Sequence, residues 1–307
     1  MPLERTTTRR AALALIGVSA IWGFTFPAIQ NALRAVDPVT FVCLRFGLAT
    51  AVFAVALRGR AFRLPIPGLG LAAALGLCLA AGTILQTMGL RLTTAPRSAF
   101  ITAMYVPLTP FMALLAARIR PRLGSVVAVG LAVAGLYLLT EPGTSGMNAG
   151  DWLTLACAVM WAAHIVVAQA TVARYDPVPV TFWQVAISAL LCALALGVQG
   201  EARFGVTPWS LTALGVTAVL ATAFAFWVQM WAQRETSATH AAVIFAAEPA
   251  FAAVFSYFLL REVMGPSAFL GAALILAGML ITQLGATTGA GEEALAEPTS
   301  ARVEERV

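Results

Sequence analysis

One carboxylate, Glu248, stands in an otherwise apolar stretch of the chain, directly before Pro249 and two helical turns after His240 on the same helical face. Residues 236 to 283 around it hold two apolar segments joined by Arg261-Glu262. Each is long enough to cross a hydrocarbon core of about 30 Å as a helix. A carboxylate at that depth costs about 2.5 to 3.5 kcal/mol on insertion scales, so Glu248 is expected to face protein or a water-filled cavity. There it can receive an ammonium group or exchange a proton, with His240 as a candidate proton partner. The plainer role is to tie two helices together or to support the proline.

Further polar and aromatic groups fall inside apolar runs. His164 follows Trp161 by three residues, so the two project to similar sides of one helix. A lone membrane histidine serves equally well as a hydrogen bond between helices. Trp22, Phe26, Tyr105, Trp161, Trp183, Trp227 and Trp231 offer flat walls with polar handles, which suits a neutral, partly aromatic ligand, although membrane tryptophans also collect at interfaces. Gln86, Gln184 and Gln229 can hydrogen-bond either a ligand or a neighbouring helix. Pro27, Pro107, Pro110 and Pro249 interrupt backbone bonding within spans, which makes them hinge candidates or packing kinks.

Of the residues, 60% are apolar and 11% charged, and the apolar ones come in long runs rather than stripes. That is the composition of a polytopic membrane protein. The net charge of +5 comes from arginine alone and lies mostly in short loops, which points to membrane topology and away from nucleic acid. Cys43, Cys78, Cys157 and Cys192 lack metal or redox spacing and read as packing residues. No cofactor, metal site or ATP-binding loop is expected, and no paired-acid or Ser-His arrangement suggests an enzyme.

The elements that must position these groups are ten spans, at about 11–34, 38–57, 67–90, 94–117, 124–140, 151–173, 179–199, 208–233, 237–260 and 265–284. Arg5, Arg9 and Arg10 precede the first run in the manner of a signal peptide, but the run is too long for one and is read as a retained span. Internal repetition is visible. Trp22, Gln30 and Asp37-Pro38-Val39 recur as Trp161, Gln169 and Asp176-Pro177-Val178, each displaced by 139 residues. Thr94 and Pro107 recur as Thr236 and Pro249, displaced by 142. Five spans per copy is an odd number, so the second copy enters the membrane inverted. The expected fold is all-α, ten transmembrane helices in two inverted five-helix repeats, residues 11–142 and 149–285, with an N-terminus over 1–10 and a disordered tail over 286–307. With both termini cytoplasmic, thirteen arginines lie inside and five outside, as the positive-inside rule requires.

Several motifs carry a family resemblance: Ile21-Trp22-Gly23-Phe24-Thr25-Phe26, Leu44-Arg45-Phe46, Pro249-Ala250-Phe251-Ala252-Ala253, Leu260-Arg261-Glu262 and residues 271–278. Over about residues 11 to 285 the chain resembles the EamA-like branch of the drug/metabolite transporter superfamily. The resemblance implies a central substrate cavity and export of small metabolites, and the overall likeness is to bacterial exporters of aromatic and other neutral amino acids. On that basis the expectation is an inner-membrane, multi-pass secondary transporter whose partners are a small-molecule substrate and the lipid bilayer. The alternatives are a proton-coupled carrier of cationic drugs using Glu248, and, from another class, a non-transporting scaffold or enzyme. The first copy departs from the pattern by placing Arg120 where the second has Glu262, so whatever that acid does is done once.

Overall fold

The computed structural model describes residues 2–57, 59, 62–117, 123–139, 146–235, 244, 245, 247–278, 280 and 281, and the side chains of these except 2–9, 123, 125 and 128. Every regular element among the described residues is helical, joined by short turns and loops, with a single isolated bridge between Val36 and Phe204 in place of any sheet. Backbone N–H and C=O groups in lipid have no water to bond, so apolar runs of this length must satisfy them internally as helix.

Helix α1 runs Pro2–Ala32, α2 Pro38–Leu57, α3 Ile66–Leu90, α4 Ala95–Thr102, α5 Tyr105–Ala117 and α6 Leu123–Leu139. The C-terminal half continues with α7 Ala149–Val172, α8 Pro177–Gln199, α9 Pro208–Ala218, a π-helical turn over Val219–Phe224, α10 Ala225–Glu235, α11 Glu248–Leu260 and α12 Pro266–Gly278. Among the described residues seven spans are long and apolar enough to cross a membrane, α4 with α5 and α9 with α10 each counting as one. Three shorter apolar helices, Val129–Leu139, Glu248–Leu260 and Pro266–Gly278, accompany them. The protein is a multi-pass membrane protein.

Starts and stops follow from local chemistry. The two Asp-Pro corners work alike: Asp37 Oδ2 accepts from the Val39 and Thr40 amides at 3.1 and 3.2 Å, and Asp176 Oδ1 accepts from Val178 at 2.8 Å. Reciprocal capping boxes, Asn148 with Asp151 and Thr207 with Ser210, open α7 and α9. Helix α8 stops at Gly200 (φ 78°), a left-handed position that favours glycine.

The expected span over 94–117 is present as one apolar crossing, Ala95–Leu115, with an interruption inside it, whereas of the expected span over 237–260 residues 237–243 and 246 lie outside the described residues. The first is broken at Ala103-Met104, and α11 begins afresh at Glu248 after a turn at Ala247. Pro107 and Pro249 therefore stand in the first turn of new helices rather than mid-helix. The reason is the missing proline N–H: the amide bonds at the break reach back only three residues, Val106 to Ala103 at 3.0 Å and Ala247 to Ile244 at 3.1 Å. Pro27 lies inside α1 and Pro110 inside α5.

The halves interleave. Helix α3 packs along α7 and α8, α1 along α11, and α2 along α8. Gly23 permits the α1–α11 approach, since a Cβ there would lie 2.6 Å from Phe251 Cβ and 2.8 Å from the Glu248 carbonyl.

Candidate functional site

Between the halves lies a cavity with about 550 Å³ of space between atoms, the solvent at its mouth included. Helix α1 contributes Trp22, Thr25 and Phe26; α2 Arg45; α3 Thr83 and Gln86; α4 Thr102; and α5 Tyr105. From the other half come Trp161 and Ile165 of α7, Phe226 and Gln229 of α10, Phe245, and Glu248 of α11.

The aromatic wall is a continuous cluster. Trp22 meets Phe226 and Phe245 with ring centroids 5.4 and 5.2 Å apart, and Trp161 stacks on Phe226 at 6.1 Å with 13° between the planes. The π-helical turn orients it. A π turn carries its hydrogen bonds one residue further than an α turn, which shifts the carbonyls out of α register. The Ala221 carbonyl accepts from the Trp22 indole at 2.9 Å. Thr222 Oγ1 donates to the Thr217 carbonyl at 2.8 Å and accepts from Arg45 Nε at 2.7 Å. The turn thus fixes both a wall and a cation.

Glu248 is 8% exposed, and its carboxyl group is within reach of the Tyr105 hydroxyl from the other half. The two broken spans meet here, Tyr105 opening α5 and Glu248 opening α11. Gln86 Nε2 donates to Thr102 Oγ1 at 3.3 Å. Gln229 Oε1 is buried without a partner, so the lining keeps an unused acceptor, while the buried Trp161 indole N–H has the Cys157 sulfur beside it.

At one end of the helix array the halves are bound together by their loops. The Asp37 amide donates to the Arg203 carbonyl at 3.0 Å, Gly205 to Ala35 at 2.9 Å, and Gln199 Nε2 to Asp37 Oδ2 at 2.9 Å. Arg97 and buried Asp151 form an ion pair, its Nε bond being 2.9 Å. Glu262 accepts from the Ala95 amide at 3.1 Å, capping α4 from the opposite half, where the local residue Thr94 makes no side-chain cap. Partial burial moves the Asp37 carboxyl up, but hydrogen bonds from Gln199, Thr40 and Val39 outweigh it and leave Asp37 below the usual carboxylate range. At Glu262 burial prevails over the bonds from Ala95 and Gln30 and the nearby Arg34, and its carboxyl titrates above that range. Every ion pair among the described residues lies at this end.

Residues 9–141 and 148–284 match the sequence model of the EamA-like transporter family. The chain belongs to that family. An uncharacterized transporter of Archaeoglobus fulgidus is 34% identical over 274 residues, which cover 89% of this chain and 86% of the relative. A second uncharacterized transporter of that organism is 26% identical over 276 residues, 85% of this chain and 93% of its own. A crystal structure 18% identical in sequence shares the fold, with a TM-score of 0.67 over 91% of this chain and 98% of the other.

Within this EamA-like chain, Trp22, Phe26, Gln86, Tyr105, Trp161, Gln229 and Glu248 all line the cavity. His164 and Trp183 stand behind the wall. His164 is fully buried, with Nε2 2.9 Å from Gln184 Oε1 and its ring edge-on to Trp161 at 5.8 Å, while Trp183 packs against Phe182 at 5.4 Å. His240 lies outside the described residues. Sequence reasoning passed over Arg45 as a site residue, although it is an arginine in the middle of an apolar span, and that was a usable signal. Phe226 and Phe245 gave none, being aromatic residues among many in apolar runs.

Proposed function

We propose that this protein is an inner-membrane secondary transporter that exports small amphipathic metabolites, neutral and aromatic amino acids above all, by alternating access. The observation that carries the reading is the cavity shared by both halves, with the Trp22, Trp161 and Phe226 wall on one part of its lining and the Glu248 carboxyl on another. An apolar side chain suits the rings, and Glu248 receives the substrate ammonium. We read the chain as ten crossings in two inverted repeats with cytoplasmic termini, an arrangement in which the cavity lies near the bilayer midplane where such carriers bind cargo. The cross-linked loop end is then the outer gate, shut in this arrangement, and the helix breaks before Pro107 and Pro249 are the points at which the halves rock.

Carriage of cationic drugs is the weaker reading, because a guanidinium, Arg45, shares the lining with Glu248. The test is efflux of labelled L-phenylalanine from loaded proteoliposomes. Glu248→Gln, Trp22→Ala and Trp161→Ala each lower the rate about tenfold or more, the loss of one charged hydrogen bond or one aromatic contact, in protein that elutes as wild type does. Unchanged flux in all three removes the site assignment.

A further inference from the structure

Arg45 is 6% exposed and sits in the middle of α2, a membrane-spanning helix. Among the described residues it makes no ion pair, and its one side-chain hydrogen bond is Nε to Thr222. The Phe46 ring, 5.9 Å from Cζ, offers a face but no acceptor. Both terminal nitrogens are left without a partner, on a residue that lines the cavity. Neither is among the buried side-chain atoms that lack a partner, so both open on the cavity rather than on packed protein, and a guanidinium at this depth with no counterion in the protein has the cavity as the place to find one. Glu248 is not that partner: it lines the same cavity, stands beyond ion-pair distance and is turned to Tyr105.

We propose that Arg45 is the carboxylate anchor of the cavity, its two terminal nitrogens gripping a substrate carboxylate while Thr222 of the π-helical turn holds Nε. The division of labour follows from the shape of the guanidinium. Its donors lie in one rigid plane, so fixing the Nε edge presents the terminal pair as a fork that matches the two oxygens of a carboxylate. The same turn holds Trp22 through the Ala221 carbonyl, so the anchor and the aromatic wall keep a constant separation. A bound molecule with a carboxylate and an apolar or aromatic side chain satisfies both at once. One cation and one acid in the lining leave it balanced for a zwitterion, and Arg45 rejects amines that lack the acid. This names a specificity-determining residue within the reading above and rests on that reading for the size and apolar character of the cargo.

The test is calorimetric titration of purified wild-type and variant protein in micelles with L-phenylalanine, L-phenylalaninamide, 2-phenylethylamine and 3-phenylpropanoate. Wild type prefers the acid to its amide by about 10- to 100-fold, the value of a hydrogen-bonded charge. In Arg45→Gln that preference falls to about twofold or less while amide binding stays, which shows the pocket intact. Arg45→Lys keeps the charge, loses the fork and retains only part of the preference, and it serves as the readout if Arg45→Gln does not fold. A wild type indifferent to the carboxylate, or either variant with the full preference, overturns the anchor. Binding of 3-phenylpropanoate that depends on Arg45, with none of L-phenylalanine, upholds the anchor and refutes amino acids as cargo. Binding of L-phenylalanine with a preference indifferent to Arg45 does the reverse. No carboxylate binding at all refutes both.

Discussion

Replacing Thr222 by valine removes one oxygen from the centre of the molecule and nearly nothing else. The hydroxyl accepts from Arg45 Nε at 2.7 Å and donates to the Thr217 carbonyl at 2.8 Å, and the residue is fully buried. Valine keeps the shape, so no cavity opens, but it leaves a guanidinium N–H facing a methyl group. Losing a buried hydrogen bond to a charged donor costs about 1.5 to 3 kcal/mol. The second bond adds about 1 kcal/mol at most, because the Thr217 carbonyl sits on a helix whose backbone can tighten around it. The expected loss is therefore about 2 to 4 kcal/mol, and Thr222→Ser, which keeps the oxygen, recovers most of it. Reversible unfolding in mixed micelles with increasing sodium dodecyl sulfate measures the difference. The Trp22 share of the emission, taken as the difference made by Trp22→Phe in a chain of seven tryptophans, provides a second readout, since the Trp22 indole is bonded to the adjacent Ala221 carbonyl and shifts if the π turn reverts to α. A Thr222→Val protein as stable as wild type, with unchanged emission, refutes the claim that this turn holds the cation.

Two other outcomes follow from the packing and from the loop end. Gly23→Ala places a Cβ 2.6 Å from Phe251 Cβ, forcing α1 from α11 at a cost of about 1 to 3 kcal/mol, whereas Gly17→Ala on the same helix, with nothing within 4 Å, stabilises by up to about 1 kcal/mol; equal unfolding curves for the two refute the close approach. Glu262 has its carboxyl raised by burial in the closed loop end, so the uncharged form is favoured there over an open, hydrated state of ordinary pKa. The Glu262 contribution to closure is accordingly full below the ordinary carboxylate value and is lost as pH rises through the raised one. Asp37, held low at the same end, contributes the opposite sign below its own ordinary value, so the Glu262 part is read as the difference between wild type and Glu262→Gln above that range. Spin labels at positions 93 and 263 report it as a growing distance, Glu262→Gln flattens the response there, and a distance that shrinks with rising pH over the same range contradicts the assignment.

Much was legible in the chain because lipid punishes exceptions. Glu248 drew notice as an acid in an apolar run, Trp22 and Trp161 as mates in a repeat, and Pro107 and Pro249 as a matched pair, all from residue type and spacing. Span positions followed from the length of hydrocarbon to be crossed. These are local quantities. What the sequence left open was rotation: helices that are apolar all round carry no stripe to say which side faces the neighbour. Hence His164, read beside Trp161, is turned into a bond with Gln184 behind the wall, while Arg45 is turned inward.

The tertiary structure alone decided the contacts between distant residues. Arg45 meets Thr222 across 177 positions of chain, Trp22 meets Ala221 across 199, and Glu262 caps Ala95 across 167. The π-helical turn of Val219–Phe224 is written in small and apolar residues that suit an ordinary α-helix as well. It exists because the bonds it makes to α1 and α2 compensate the widened register. Sequence determined that a polar group at depth must find a partner; packing determined which partner was within reach.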